Sequence, residues 1–244
     1  VFFNLNFRSD RQRAKTASLL KAVSFLKEMS PRSVKPTAFN WIQKGPKLKI
    51  VTLANYHPSL VNLGAIPIFS NIPQKENLFH LYPKLFPGQS YSLVGESNKA
   101  AHMGFFIRGN RENPVTSNIE RRTIIASTSV QEKVGNDSEF WKTPGMRSDE
   151  VGKIVIERMS EGDDKLICAN FSNCDMLGHL LPEFFDEALV ACEKVDDTFG
   201  IIMQSARSNA FNVIVTSDHG NIENDSPAHT TNDVLTTIVP ASGK

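Results

Sequence analysis

Apolar runs that alternate with amphipathic helical patterns are the feature that most constrains the fold of this chain. Residues 164–171 and 211–215 are apolar runs of strand length. Residues 182–207, which lie between them, repeat apolar side chains at helical spacing, and residues 147–162 predict another helix. Strands that alternate with helices indicate an α/β fold with a mostly parallel sheet flanked by helices.

The first half of the chain carries weaker patterns that predict part of a second α/β domain. A helix is predicted at 8–30, and strands are predicted at 1–7 and 47–56. Further strands are predicted at 102–110 and 122–128, in the domain that follows. Residues 57–75 contain prolines and show little periodicity, so we interpret them as a loop or linker. The expected domains are therefore residues 1–72 and residues 73–244.

The composition excludes several classes of function. The 244 residues carry a net charge of +1, from 27 basic and 26 acidic residues, and no basic run indicates a nucleic-acid partner. No apolar stretch approaches the roughly 20 residues that span a bilayer, so no membrane partner is expected. Three cysteines without a CxxC pair argue against a disulfide framework and fit a reducing compartment.

Carboxylates and imidazoles follow two of the predicted strands. Asp175 and His179 come after one of these strands, and Asp218 and His219 come directly after the next. In open α/β sheets, ligands bind outside the carboxyl ends of the strands. We therefore expect these loops to share one edge of a sheet, together with His229 ten residues further on.

The residue types in these loops indicate a metal centre. Carboxylate and imidazole together form a ligand set for Mn²⁺, Zn²⁺ or iron. Asp218 and His219 are adjacent, and neighbouring side chains in an extended segment point apart, so two metal ions fit them better than one. Taken singly, each residue could instead be a cap or a turn former.

Several segments of the sequence resemble segments of one enzyme family. NCDMLGH, SDHGN and AHTTN are similar to the metal-binding segments of cofactor-independent (2,3-bisphosphoglycerate-independent) phosphoglycerate mutase, a member of the alkaline phosphatase superfamily. FFNLNFRSDRQR resembles the family's phenylalanine-rich strand and its Arg-x-Asp-Arg turn. GESNKAAHMGFFIRGN resembles the segment that carries the family's active-site lysine. These matches run along the whole chain in the family's order.

The resemblance implies the fold and the metal ligands. An alkaline-phosphatase-like, metal-binding domain would follow the C-terminal part of a transferase domain that binds substrate. Asp175, His179 and His229 would hold one Mn²⁺, and Asp218 and His219 would help to hold a second. Zn²⁺ or Co²⁺ would also fit such ligands.

The resemblance also implies residues that bind substrate. Arg8 and Arg11, which flank Asp10 at a predicted helix start, would grip the carboxylate or phosphate of phosphoglycerate, because guanidinium forks bind oxyanions bidentately. A bound anion would also offset the unfavourable position of two cations near a helix N-terminus. Lys99 would be catalytic and would also bind substrate, because its charge favours the anionic transition state of the transferring phosphoryl group.

The activity implied by the resemblance is that of an isomerase of glycolysis in the cytoplasm. A metal-activated serine would take the phosphoryl group from 3-phosphoglycerate and return it to the neighbouring hydroxyl, which gives 2-phosphoglycerate. The small-molecule substrate would be the main partner, and the complete enzyme is expected to be a monomer.

The sequence departs from the family in ways that leave alternatives open. The chain is expected to be truncated at both ends relative to the family, and no serine lies in a context that resembles the nucleophile segment, so we expect this fragment alone to be inactive. Ala100 stands where the family has an aromatic residue. The alternatives are an inactive metal-binding fragment and another metal-dependent phosphatase or phosphomutase. The Arg-x-Asp-Arg turn and the Lys99 segment favour the mutase.

Overall fold

Two compact units make up the described part of the chain. The computed structural model describes residues 1–6, 9–20, 49–70, 74, 76–127 and 137–241. The units are Val1–Pro73 and Gln74–Lys244. Each unit contains a parallel sheet with helices packed on it, which confirms the predicted α/β fold class. The identity of the first unit as part of a transferase domain stays a prediction.

The first unit is built on a three-stranded parallel sheet. Its strands are β1 (Phe2–Asn4), β2 (Ile50–Ala54) and β3 (Ala65–Phe69), which pair in that order. Helix α1 (Ser9–Leu19) follows β1, and helix α2 (Pro58–Asn62) lies between β2 and β3. A small core joins these elements through Ala17, Tyr56, Leu60 and Ala65. Residues 21–30 of the predicted first helix lie outside the described residues.

The prediction of a loop or linker at 57–75 was wrong for most of its length. Pro58 occupies the first turn of α2, where its missing N–H costs nothing, and the His57 side chain caps the helix by accepting a hydrogen bond from Ser59 N at 3.1 Å. Pro67 lies in β3, which pairs with β2 on one side within the described residues. Proline is tolerated in a strand at a sheet edge, so its presence there did not exclude a strand.

The second unit is built on a parallel sheet with strand order β5-β4-β6. Its strands are β4 (Ser90–Glu96), β5 (Glu120–Ile125) and β6 (Asp164–Ala169). The helices of this unit are α3 (Leu78–Leu85), α4 (Ser148–Glu161), α5 (Asn173–Gly178) and α6 (Phe185–Ser208). The predicted strands at 122–128 and 164–171 and the predicted helices at 147–162 and 182–207 are confirmed, with shifted ends.

The central strand β4 was missed by the sequence analysis, although it organises the unit. Tyr91 and Leu93 pack into a cluster with α3, while Val94 packs with residues of α4 and α6 on the other face. A strand that is covered on both faces need not alternate polar and apolar residues along its length. The residues of β4, SYSLVGE, alternate serine with an apolar residue only as far as Leu93, and Val94 breaks the alternation.

Residues 102–110 do not form the predicted strand. His102–Phe106 form one turn of π-helix, in which Phe106 N donates to Ala101 O at 3.0 Å and Ile107 N donates to His102 O at 3.1 Å. Met103, Gly104 and Phe105 are buried. A short apolar run is compatible with a buried helical turn as well as with a strand. The apolar pattern of this segment therefore led to the wrong prediction of a strand.

The strand predicted at 211–215 does form, but not in the sheet expected of it. Strand β7 (Val213–Val215) pairs antiparallel with β8 (Thr237–Val239), and among the described residues it has no other ladder. The loop between β7 and β8 carries Asp218, His219 and His229. These residues therefore do not follow strands of one shared sheet, as the sequence analysis assumed.

In the described parts of the chain, no helix is both long enough and apolar enough to cross a bilayer. The 24-residue helix α6 has the length, but it is amphipathic and carries charged residues on its other face.

Close packing of α4 against α6 makes a direct prediction about stability. A β-carbon on Gly152 would lie 2.4 Å from Thr198 Cγ2, and Thr198 is held by its hydroxyl, which donates to Lys194 O at 2.9 Å. We expect Gly152→Ala to lower the free energy of unfolding by about 1–3 kcal/mol, measured by urea denaturation, because the helices must separate.

Gly200→Ala is the matched control, since a β-carbon on Gly200 in α6 meets no atom within 4 Å. That variant should be more stable than the wild type by up to about 1 kcal/mol, because alanine is the better helix former. Equal stability of the two variants would contradict the close packing.

Candidate metal centre

The pairing of β4 with β6 places two predicted site residues at one edge of the sheet. The strands are parallel neighbours, so their carboxyl ends coincide. β4 runs into the turn Ser97–Lys99, and β6 leads through a short loop into α5, which carries Asp175. The Lys99 ammonium contacts the Asp175 carboxylate, and both side chains are largely buried, with exposed fractions of 11% and 16%.

Opposing influences set the pKa of Asp175. Burial raises it, but the hydrogen bond and charge of Lys99 lower it, and Asn221 and His179 lower it further. The result is a pKa of about 2. Asp175 is therefore ionised throughout the neutral range and presents a permanent negative charge to its neighbours.

His179 is held in one tautomer by the backbone. Its Nδ1 lies 2.7 Å from Pro227 O, and a carbonyl oxygen can only accept, so Nδ1 carries the proton. In the neutral ring, Nε2 is then the nitrogen with the free lone pair. This Nε2 lies 3.3 Å from Asp175 Oδ1. Histidines that bind metals are commonly fixed in this way by a backbone carbonyl behind the ring.

His229 completes a compact group of donor atoms. Its Nε2 lies 3.2 Å from Asp175 Oδ1 and 3.2 Å from His179 Nε2. Partial burial lowers the pKa of His229, and the neighbouring His219 ring lowers it further, although Asp175 acts in the opposite direction. A lowered pKa keeps the imidazole neutral, which is the form that binds metal ions.

His219 lies against His229, while Asp218 is more exposed. The rings of His219 and His229 stack with centroids 3.6 Å apart. Donor atoms of Asp175, His219 and His229 lie within 4.8 Å of one another. The Asp218 side chain is 66% exposed, and its Oδ2 lies 3.5 Å from His219 Nε2.

The donor set fits a divalent transition-metal ion. One carboxylate oxygen and two imidazole nitrogens, from Asp175, His179 and His229, converge within 3.3 Å of each other. The Pro227 carbonyl accepts a hydrogen bond from Nδ1 of the His179 ring. This contact directs the Nε2 lone pair of His179 toward the space between the three donor atoms. Mixed oxygen and nitrogen ligands suit Mn²⁺, Co²⁺ or Zn²⁺.

Asn221 supports the central carboxylate and was given no role by the sequence analysis. Its Nδ2 donates to Asp175 Oδ1 at 3.0 Å and to Asp175 O at 3.1 Å. Asn221 is 4% exposed, so its amide is fixed by its surroundings. It therefore holds both the side chain and the backbone of Asp175 in place.

Glu223 joins the two ends of the loop that carries the histidines. Its carboxylate accepts hydrogen bonds from Asn221 N at 2.6 Å, from the Thr230 hydroxyl and from Asn232 Nδ2 at 3.0 Å. The hydrogen bond from the Thr230 hydroxyl has the largest effect on the pKa of Glu223, and the other donors add to it. Together they lower this pKa to about 2, so the carboxylate stays ionised.

Gly220 allows the same loop to close tightly. Thr230 N donates to Gly220 O at 2.8 Å, which forms an isolated β-bridge between the segments of His219 and His229. A β-carbon on Gly220 would lie 2.2 Å from Glu223 Oε1 and 2.2 Å from Thr230 Oγ1. Any larger residue would therefore push apart the two segments that bring the histidines together.

The sequence contained a usable sign of these supporting residues. Asn221 and Glu223 directly follow the predicted ligands Asp218 and His219, in a segment where apolar residues are nearly absent. Polar residues beside metal ligands often fix those ligands through hydrogen bonds. Their partners, however, are distant in sequence, so only the structure identifies which contacts they make.

Three of the residues predicted to bind substrate are Arg8, Asp10 and Arg11. Arg8 lies outside the described residues. Asp10 and Arg11 lie in α1, at its first turns, but the positions of their side chains are not described. Their roles stay predictions.

Glu96, at the end of β4, is a buried acid that the sequence analysis did not select. It is 1% exposed, and its Oε1 accepts a hydrogen bond from Arg147 N at 3.2 Å. Its Oε2 is buried and has no hydrogen-bond partner among the described residues. Burial raises the pKa of Glu96 to about 7, although the Arg147 N–H and charge act against this. The pKa of this acid, which lies three residues before Lys99, is therefore close to neutral pH.

Comparison with known families and proteins supports a metal centre in the second unit. The model of the metalloenzyme superfamily matches residues 85–242, which include Lys99 and every residue predicted to bind a metal. The chain is 30% identical over 239 residues to the 2,3-bisphosphoglycerate-independent phosphoglycerate mutase of Haloquadratum walsbyi, and this covers 95% of the chain and 42% of the relative.

A second relative and a solved structure that resemble this chain are also phosphoglycerate mutases. The 2,3-bisphosphoglycerate-independent phosphoglycerate mutase of Helicobacter pylori (strain J99) is 32% identical over 237 residues, 91% of this chain and 39% of that protein. A Leishmania mexicana phosphoglycerate mutase, crystallised at low cobalt concentration, has a similar fold with a TM-score of 0.66 at 23% identity. That match covers 90% of this chain and 41% of the other. The chain thus spans about two fifths of the length of the relatives it matches.

The hydrogen bonds of Glu223 make a prediction about metal affinity. Glu223→Ala removes the acceptor that joins the His219 and His229 segments, so we expect the affinity for Mn²⁺ to fall roughly tenfold. Isothermal titration calorimetry measures this change. Asp225→Ala, at an exposed carboxylate in the same loop, is the matched control and should bind like the wild type. Equal affinities of the two variants would contradict the role of Glu223.

The raised pKa of Glu96 makes a prediction about the pH dependence of stability. The carboxyl ionises near pH 4.3 in the unfolded chain but near pH 7 in the folded protein. Its contribution to stability is therefore complete below about pH 4 and is lost as the pH rises through 7. Glu96→Gln cannot ionise and should lack this loss.

Urea unfolding of both proteins at acidic and at mildly alkaline pH, with a chelator present, measures the effect. The free energy of unfolding of the wild type should fall relative to that of Glu96→Gln by up to about 3 kcal/mol across this range. A difference between the two proteins that does not change with pH would show that Glu96 ionises normally.

Proposed function

Because the chain belongs to the metalloenzyme superfamily, we propose that it is the metal-binding part of a phosphoglycerate mutase, which interconverts 3-phosphoglycerate and 2-phosphoglycerate. The relatives that cover most of this chain carry that name. The observation that carries the proposal is the convergence of Asp175, His179 and His229 beside the buried Lys99.

The proposed centre holds two divalent ions. Asp175, His179 and His229 are the ligands of the first ion, and Asp218 and His219 contribute to the second. The stacking of His219 on His229 supports the closeness of the two positions. Two divalent ions held by these residues would neutralise charge on the phosphoryl oxygens and would lower the pKa of a hydroxyl nucleophile. Mn²⁺ is the proposed ion, with Co²⁺ or Zn²⁺ as alternatives.

Lys99 is the proposed catalytic cation. Its ammonium lies in a largely buried position, where a charge acts more strongly than it does in water. It pairs with Asp175 in this structure, so it is already aimed at the centre. A cation placed there before the reaction begins stabilises the charge that develops on the transferring phosphoryl oxygens.

Arg8, Asp10 and Arg11 form the proposed site for the carboxylate or phosphate of the substrate. Guanidinium groups bind such oxyanions through paired hydrogen bonds. The nucleophile in the proposed mechanism is a serine that becomes phosphorylated and returns the phosphoryl group to the second hydroxyl of glycerate. We expect that serine to come from a segment other than these 244 residues. The reaction belongs to glycolysis, for which the proposed location is the cytoplasm.

Metal stoichiometry tests the proposed centre. The purified protein, stripped with a chelator and titrated with Mn²⁺, should bind two ions. Asp218→Ala should bind one, because it removes a ligand of the second ion and leaves the first group intact. Asp196→Ala, at an exposed position on α6, should keep both. Two ions in Asp218→Ala would contradict the assignment.

The product formed from 3-phosphoglycerate distinguishes a mutase from the alternative, a phosphatase. Because these 244 residues alone are expected to be inactive, the Mn²⁺-loaded protein is assayed together with the segment that supplies the serine, and ³¹P NMR of 3-phosphoglycerate distinguishes the two products. Formation of 2-phosphoglycerate supports the proposal. Release of inorganic phosphate without the isomer would favour a metal-dependent phosphatase.

A further inference from the structure

Two cysteines face each other beside the candidate metal centre. Cys174 lies in α5 and Cys192 lies in α6, and their sulfur atoms are 3.9 Å apart. Both residues are partly exposed, as access by a small oxidant requires. The helices pack through a buried cluster that includes Leu177 of α5 and Ala188 of α6, which fixes the sulfurs near each other.

We propose that Cys174 and Cys192 are a site of reversible oxidation, at which a peroxide joins the two sulfurs as a disulfide and thereby weakens metal binding at Asp175. The second part of this proposal rests on the proposed metal centre. The first part does not, because it depends on the two cysteines alone.

The reaction balances with hydrogen peroxide as the oxidant. The Cys192 thiolate attacks one peroxide oxygen, the O–O bond breaks, and a sulfenic acid and hydroxide form. The Cys174 sulfur then attacks the Cys192 sulfur, so the S–S bond forms and the S–O bond breaks. The protons of the two thiols convert the two departing hydroxides into water. The two sulfurs lose two electrons in total, and the peroxide gains them.

The environment of the pair favours Cys192 as the first sulfur to react. A hydrogen bond from the Cys174 thiol lowers the pKa of Cys192, although burial acts against this. The thiolate is the nucleophilic form, so a lower pKa increases its share at neutral pH. Cys168 differs, because it lies in β6 against a buried cluster, and burial raises its pKa to about 11.

Formation of the disulfide brings the two sulfurs about 2 Å closer together. Any part of this approach that rotation of the side chains does not supply displaces one of the two helices. Helix α6 has 24 residues and is anchored along α4, whereas α5 has six. We therefore expect the shift to fall on the first turn of α5.

That first turn carries Asp175, the residue directly after Cys174. Its Oδ1 lies 3.2 Å from His229 Nε2 and 3.3 Å from His179 Nε2. Ligand-to-metal distances in well-formed sites lie within about 0.2 Å of their preferred values. A shift of the carboxylate by more than this lowers the affinity for the ion.

Peptide mapping and metal titration together test the proposal. The protein is purified with a reductant, which is removed, and is then treated with hydrogen peroxide. Cleavage after glutamate separates the two cysteines, because Glu183 and Glu187 lie between them. We expect a linked pair of peptides, two hydrogens lighter than the separate peptides, that a thiol reductant separates again. The affinity for Mn²⁺ should be roughly tenfold weaker in the oxidised protein.

Two variants serve as controls. Cys192→Ser should bind Mn²⁺ equally well before and after peroxide, which excludes damage at other residues. Cys168→Ser should behave like the wild type and should keep the cross-link, which assigns it to Cys174.

The outcomes separate this proposal from the proposed function. Absence of the linked peptides would overturn the oxidation site. Linked peptides with unchanged affinity would overturn its effect on Asp175. A reduced protein that binds no Mn²⁺ would contradict the proposed metal centre. It would also contradict the effect of oxidation on Asp175. In that case the linked peptides alone would decide whether the oxidation site exists.

Discussion

The parallel pairing of β4 with β6 is the constraint on which the candidate centre depends. It brings the ends of both strands to one edge of the sheet, so that Lys99 after β4 meets Asp175 after β6. β4 is fixed in turn because apolar clusters cover both of its faces. The position of a charged pair therefore follows from apolar packing at a distance from it, which is the usual relation between core and site in α/β proteins.

Asp175 is the charge around which the other side chains of the centre are arranged. Lys99, His179, His229 and Asn221 all contact its carboxylate. An ionised carboxylate that is mostly buried requires such partners, because its desolvation is otherwise costly. The same charge attracts a divalent cation. A bound ion at the proposed site and the Lys99 ammonium would therefore compete for one carboxylate.

Local pattern was reliable where an element is amphipathic and failed where tertiary contacts override the pattern. Helices α4 and α6 were predicted because one face is apolar and the other is charged. Strand β4 was missed because both of its faces are buried, and the turn His102–Phe106 was taken for a strand because a short apolar run fits either structure. Prolines at 58 and 67 suggested a linker, yet both occupy positions that proline tolerates in a helix or a strand.

The sequence by itself determined the α/β class and the residue types of a metal centre, because strand and helix periods and the order of Asp and His residues are local properties. Only the tertiary structure decided that β7 pairs with β8, that Asn221 and Glu223 hold the ligand loop, and that Cys174 faces Cys192. These contacts join residues whose meeting depends on how β4, α5 and α6 pack. No local pattern records that packing, since it is set by the fit of whole elements against a shared core.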